Sequence, residues 1–349
     1  MTALVFRVLD ANFDRCLEGV RVLEDTARFV FDDAGVSQTL RDVRHAVMHA
    51  MAAIDADLVG ARRSTEDVGA SPSVPEEPRA SLQDVVRANA KRAEEALRVL
   101  EEYTRLPEVA GRVDVAPLKT ARYALYDAEH RLTGRVARRE NAAKIRGVYL
   151  IIDPTLTGGR PELQVAEAAL AGGVRVLQWR DKLRDKGQQL PVVRELLRMC
   201  RRHGALLFMN DHPDLAMAAG ADGVHVGQQD LPLAAVRSMT PAGFLIGTSN
   251  ALVQEAVASD SGGADYLAVG AIYATSSKDN TRPAGLDTLT KVRAATKRPI
   301  VAIGGINAGN IDPVIAAGAD AVAVISAIAM APDVQAAARQ LTAKFPRPA

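Results

Sequence analysis

From about residue 140 to the C-terminus, short runs of Val, Ile, Leu and Ala alternate with helix-period stretches, and this repeats eight times. The predicted strands are Val148–Asp153, Val174–Arg180, Ala205–Asn210, Gly223–Gly227, Phe244–Ser249, Tyr266–Gly270, Ile300–Gly304 and Ala321–Ser326. Helical patterns such as Leu190–His203 and Leu252–Ser259 fall between them. Mostly continuous apolar strands belong to a parallel sheet covered on both faces. Eight βα units in about 200 residues fit a small α/β (β/α)8 TIM barrel, with an open doubly wound sheet as the alternative. Polar or Gly residues at nearly every strand end favour closure, because a barrel gathers all its strand ends at one face. Residues 144–349 are assigned to this unit.

Residues 1–138 carry apolar residues at helical spacing and no strand-like runs, so they form a separate all-α helical domain. Its dominant feature is an internal repeat. Ala11-Asn12-x-x-Arg15-x-x-Glu18-x-x-Arg21-Val22-Leu23-Glu24 recurs 77 residues later, from Ala88 to Glu101. Nine of the eighteen positions from Ala11 to Arg28 are identical in the copy. A weaker echo pairs Leu40, Arg41, Arg44 and Ala46 with Leu118, Lys119, Arg122 and Ala124. Each half therefore reads as two helices and a connector, and four helices with pseudo-two-fold symmetry are expected. One hairpin could not bury its apolar stripe alone. Val68–Arg79, with Pro72, Pro75 and Pro78, joins the halves and cannot be regular helix. Thr133–Arg146 is the expected junction with the second unit.

Composition excludes several classes. A net charge of +1 gives no reason to expect nucleic acid or an anionic membrane as partner. Two cysteines make no disulfide scaffold. Met1–Asp10 lacks the basic-then-apolar layout of a secretory signal, and no apolar run approaches the ~20 residues of a membrane span. A soluble cytoplasmic protein acting on small molecules is the expectation. A homo-oligomer is equally compatible with the sequence.

The strand ends carry the chemistry. Alternation sends Gln178, Arg180 and Lys182 to one side of the second strand, and Trp179 and Asp181 to the other. A guanidinium fork and an ammonium suit phosphate oxygens. A solvated strand end would look the same. Asn210-Asp211 closes the third strand, and Asp230 follows the fourth by three residues. Carboxylates from neighbouring loops suit Mg²⁺, which takes one or two of them together with substrate phosphate. Helix capping is the competing role for both, since each precedes a proline-containing helix start. His225, inside the fourth strand, reads as a hydrogen-bonded interior histidine. The fifth strand ends in Ser249. Thr275, Ser277 and Lys278 form a polar loop after the sixth. Gly304-Gly305 and Ile325-Ser326 end the seventh and eighth, where barrels recurrently bind phosphate. In the helical part, Glu18, Arg21, Asp25 and Arg28 form a stripe that Glu95, Arg98, Glu102 and Arg105 repeat. A surface ion-pair ladder, a buried polar seam and a ligand site all remain open for it.

Taken in order, these motifs resemble those of the thiamine phosphate synthase family: Gln178-Trp179-Arg180-Asp181-Lys182, Asn210-Asp211, Ala221 through Asp230, the Thr275–Lys278 loop, Ile303-Gly304-Gly305-Ile306 and Ile325-Ser326-Ala327-Ile328. The resemblance covers nearly all of the second unit. It implies a barrel that joins hydroxymethylpyrimidine diphosphate to a thiazole phosphate, releasing pyrophosphate. Asp211 and Asp230 would hold one Mg²⁺. Gln178, Arg180, Lys182, Asn210, Ser249 and Lys278 would hold the pyrimidine diphosphate. Arg180, Lys182 and Lys278 would stabilise the leaving group. Thr275, Ser277, Gly305, Ile325 and Ser326 would hold the thiazole phosphate. The family loop often reads Pro-Thr-x-Thr-Lys, where this chain has Ala274-Thr275-Ser276-Ser277-Lys278. The first unit is similar to a helical domain found ahead of some such synthases, a hydroxymethylpyrimidine phosphate kinase, which would imply ATP as its co-substrate. No Gly-rich nucleotide loop supports that independently. The rival expectations are a thiazole tautomerase-like barrel and a non-enzymatic helical dimerisation module.

Overall fold

The computed structural model describes residues 2–63, 78–274 and 282–345. It separates into two compact units, Met1–Ala137 and Arg138–Ala349. Thr275, Ser277 and Lys278, and most of the Val68–Arg79 connector, lie outside the described residues.

In the first unit, α1 (Thr2–Asp25) runs through a π-helical turn, Thr26–Val30, to α2 (Ala34–Met51) and a short α3 (Asp55–Ala61). The second copy supplies α4 (Leu82–Tyr103) and α5 (Val115–Ala142). Asp33 caps α2 and Ser81 caps α4, each accepting from the backbone N–H three residues on. The core is Leu, Val and Ala at helical spacing, with Leu9, Leu23, Leu40, Leu97 and Leu100 fully buried. The expected four helices are present. The first copy adds α3, whose single buried residue is Leu58. So short an apolar stripe gave no periodic signal to find.

In the second unit, eight parallel strands close into a barrel in chain order, β1 pairing with β8. They are β1 Gly147–Ile152, β2 Val176–Trp179, β3 Leu206–Asn210, β4 Gly223–Val226, β5 Leu245–Asn250, β6 Tyr266–Val269, β7 Ile300–Ile303 and β8 Ala321–Val324. Each overlaps its sequence-predicted strand to within two residues at either end. Odd and even strand positions separate two cores. Leu150, Leu177, Leu207, Ile246 and Leu267 pack outward under the helices. Tyr149, Val176, Phe208, Tyr266 and Val301 fill the interior. Gly247 makes the second core possible, because a Cβ there would lie 2.0 Å from the Tyr266 ring. The interior is therefore a packed floor on which the strand-end face rests. Among the described residues, no helix is long and apolar enough to cross a membrane.

Candidate active site

That face holds a cavity of about 890 Å³. Gln178, Arg180, Lys182, Asn210, Asp211, Asp230 and Ser249 line it from one side, and Gly304, Gly305, Ile325 and Ser326 from the other. Among the described residues, every side chain singled out for the barrel thus faces one space.

β2 delivers its residues as alternation requires. Trp179 is buried beneath α6 (Lys186–His203), its indole N–H donating to Gln189 at 3.0 Å. Asp181 turns the same way and accepts from the Leu183 and Arg184 amides. Gln178 stays inside the barrel, donating to the Tyr149 hydroxyl at 2.8 Å. Arg180 is the inward cation of the strand end, and its guanidinium is held by the buried carboxylate of Asp153 at the end of β1. Asp153 also accepts from the Thr155 amide and hydroxyl, so the carboxylate is fixed on both sides. Nothing in its sequence context distinguished it from a strand-end cap.

Asp211 follows β3 with φ +63°, a left-handed conformation unusual outside glycine, and its amide donates to the His225 carbonyl at 2.8 Å. Residues held in such conformations gather at functional sites. Neither expected cap is formed. His212 and Pro232 occupy the N-cap positions of α7 (Pro213–Ala219) and α8 (Leu233–Met239). Asp230 instead closes its own turn, accepting from the Gly227 amide at 2.6 Å. Burial, and the Asp230 carboxyl within hydrogen-bonding reach, push Asp211 above the usual carboxylate range. Lys182, its Nζ 3.8 Å from Asp211, opposes this. Two crowded carboxylates on the wall of an open cavity are the donor set a hard divalent cation takes, so the residues present fit Mg²⁺.

A hydrogen-bonded line runs beneath the cavity, from Gln178 through the Tyr149 and Tyr266 hydroxyls to His225 and on to Ser249. Both His225 nitrogens are engaged at 2.9 Å, which agrees with an interior histidine. Burial raises both tyrosines, so each stays a neutral phenol. The Glu255–Arg282 pair at 2.7 Å, also on the cavity wall, was not anticipated. Its members stand 27 residues apart and neither lies in a strand. On the opposite wall Gly305 has φ +63°, and a Cβ there would lie 2.5 Å from the Ala274 carbonyl. Only glycine lets the chain pass there.

Residues 148–328 match the thiamine monophosphate synthase family, and residues 7–131 match the ThiD2 family. The chain belongs to the thiamine-phosphate synthase family. It is 39% identical to the thiamine-phosphate synthase of Thermosynechococcus vestitus, covering 96% of this chain and 93% of that one. It is 42% identical to that of Gloeobacter violaceus, covering 95% and 94%. Among solved structures, thiamine phosphate pyrophosphorylase from Pyrococcus furiosus aligns with a TM-score of 0.55 at 34% identity, over 58% of this chain and 96% of that one. The barrel is therefore the synthase unit of a thiamine-biosynthetic transferase, and the helical unit ahead of it is the part that matches the ThiD2 family.

In the helical unit, the stripe foreseen from the sequence is a surface ladder. Arg21–Asp25 and Arg98–Glu102 are exposed pairs at 3.3 and 2.9 Å. The buried seam lies one position away. Glu24 is shared by Arg21, Arg41 and Arg44, while Glu101 is gripped through both oxygens by Arg122. Burial raises Glu94 above the ordinary carboxylate range, and the neighbouring Glu129 adds to it against the opposing pull of Lys91.

Proposed function

We propose that the barrel joins hydroxymethylpyrimidine diphosphate to a thiazole phosphate, releasing pyrophosphate and forming thiamine phosphate. The observation that carries this is the meeting of Arg180, Lys182, Asp211 and Asp230 on one wall of the cavity with Gly305 and Ser326 on the other. One wall has the charge for a diphosphate and its cation. The other has the small residues that let backbone N–H groups approach a monophosphate.

In this reading Asp211 and Asp230 hold Mg²⁺, which when bound neutralises charge on the diphosphate. Arg180 and Lys182, joined by Lys278, carry the rest of the charge that builds as the C–O bond to pyrophosphate breaks. Asn210 positions the same group. Gln178 and Ser249, each already fixed by the interior hydrogen-bonded line, orient the aminopyrimidine. Its electron-rich ring stabilises the cation left at the exocyclic methylene. The thiazole, held through its phosphate by Thr275, Ser277, Gly305, Ile325 and Ser326, presents its nitrogen to that carbon. No general base is needed for the bond to form, and water must be kept out. Mixing both substrates with Mg²⁺ and measuring pyrophosphate tests this. No release rejects it.

The helical unit, on this proposal, phosphorylates hydroxymethylpyrimidine phosphate with ATP and so makes the diphosphate that the barrel consumes. Its ThiD2 match supports this reading. ADP formation by the full chain from ATP and hydroxymethylpyrimidine phosphate tests it.

A further inference from the structure

The two copies of the helix pair differ where their interiors would otherwise match. The offset of 77 residues sets Glu94 opposite Leu17, and the offset of 78 that relates Arg44 to Arg122 sets Glu129 opposite Met51. Leu17 packs against the apolar core and Met51 is fully buried within it. So the same fold has an apolar solution for these positions, and the second copy replaces it with two carboxylates.

Glu94 is only 5% exposed. Its Oε2 meets the Lys91 Nζ at 2.6 Å, and its Oε1 has no hydrogen-bond partner among the described residues. Glu129 stands beside it, 3.8 Å from the same Nζ. Two carboxylates thus share one ammonium, and the inner of them, Glu94, is the desolvated one. Elsewhere in the same two helices, the buried Glu101 shows what a purely structural carboxylate looks like. Arg122 satisfies both its oxygens. Removing a carboxylate from water costs several kcal/mol unless a partner compensates. An unsatisfied oxygen beside a second carboxylate is compensated by a proton in the empty site and by a hard divalent cation when one is bound. Glu129 and Lys91 keep the place open to solvent, with side-chain exposures of 20% and 62%.

We propose that Glu94 and Glu129 bind a divalent cation that carries the polyphosphate of a nucleoside triphosphate, with Lys91 contacting the phosphate. This rests on the kinase reading of the helical unit and names the metal–nucleotide site within it. Lys91 leaves Glu94 for the phosphate as the cation takes its place. An ammonium and a cation held by one or two carboxylates together form a recurrent cradle for phosphate oxygens.

The test uses the full chain carrying Asp211→Asn and Asp230→Asn, so that the barrel does not bind the probe. Mn²⁺ is titrated with and without ATP and followed by electron paramagnetic resonance. One equivalent should bind with ATP present. Glu94→Leu combined with Glu129→Met restores the residues of the first copy. It should fold with an unchanged or higher Tm and weaken Mn²⁺·ATP by about tenfold or more. If that pair fails to fold, the isosteric Glu94→Gln replaces it. Unchanged Mn²⁺ affinity in a folded variant overturns the site, as does the absence of binding before any change at Glu94. ADP formation separates the two readings. If Mn²⁺·ATP depends on Glu94 while no ADP forms with hydroxymethylpyrimidine phosphate, the site stands and the kinase reading falls. If ADP forms equally well in the folded variant, the kinase reading stands and this site falls.

Discussion

The barrel and the helical unit assemble charge by opposite means. In the barrel, strand ends remote in the chain arrive at one face because the topology sends them there, so Arg180 and Ser326 border the same cavity. In the helical unit, charged residues meet across one helix pair at a time. Glu24 meets Arg41 and Arg44 of α2, and Glu101 meets Arg122 of α5. Position therefore marks the candidate site in the barrel. In the helices, position says little, and it is the departure of one copy from the other that sets Glu94 and Glu129 apart from the arginine-paired Glu24 and Glu101.

The largest effect should come from the barrel face. Asp211→Ala or Lys182→Ala is expected to lower synthase kcat by about 10²–10³-fold, or roughly 3–4 kcal/mol of transition-state stabilisation, with the fold intact. Pyrophosphate release measures it, and ADP formation should stay unchanged. A parallel fall in both would break the comparison, since the two units would then not act through separate sites. Unchanged pyrophosphate release would mean that the diphosphate lies elsewhere.

The barrel was the more legible of the two. Its eight strands are short, apolar and punctuated by Gly or polar ends, and period-2 alternation alone places Arg180 and Lys182 on the opposite side from Trp179 and Asp181. Asp153 was not legible as the partner of Arg180. The contact crosses between neighbouring strands, and one sequence does not show which side chains a barrel sets side by side. The Tyr149–Tyr266 bond was hidden for the same reason, since it spans the interior between β1 and β6. In the helical unit the repeat is plain in the sequence, yet its most visible feature, the duplicated stripe, is a surface ladder. The informative residues, Glu94 and Glu129, are those that the repeat does not duplicate.

Within the helical unit the two buried carboxylates give the next contrast. Arg122→Ala leaves Glu101, 1% exposed, with only the half-exposed Arg98 nearby, and should cost about 3 kcal/mol of stability. Arg44→Ala should cost less, because Arg21 and Arg41 still face Glu24. Thermal unfolding of the two variants orders them, and equal losses would remove the distinction. In the barrel floor, Gly247→Ala drives a methyl into the Tyr266 ring and should cost about 2 kcal/mol. It should also disturb synthase KM, since Tyr266 holds His225, and His225 holds Ser249.

The smallest effect has the opposite sign. Burial, and after it the crowding by Asp230, raises the folded-state pKa of Asp211. A carboxyl raised on folding stabilises the native state only while protonated. The ligand-free chain should therefore lose stability as pH rises from the ordinary carboxylate range through the raised titration of Asp211. Asp230→Asn removes the like charge, and its amide oxygen can still accept from the Gly227 amide. It should flatten that pH dependence and gain about 1 kcal/mol at neutral pH in the presence of a chelator. Added Mg²⁺ should reverse the order, because a ligand stabilises only the chain that binds it. Thermal unfolding at acid and neutral pH, with chelator and then with Mg²⁺, reads all four states. If Asp230→Asn is no more stable than the parent without metal, the two carboxylates do not repel, and the barrel face is not strained in favour of a cation.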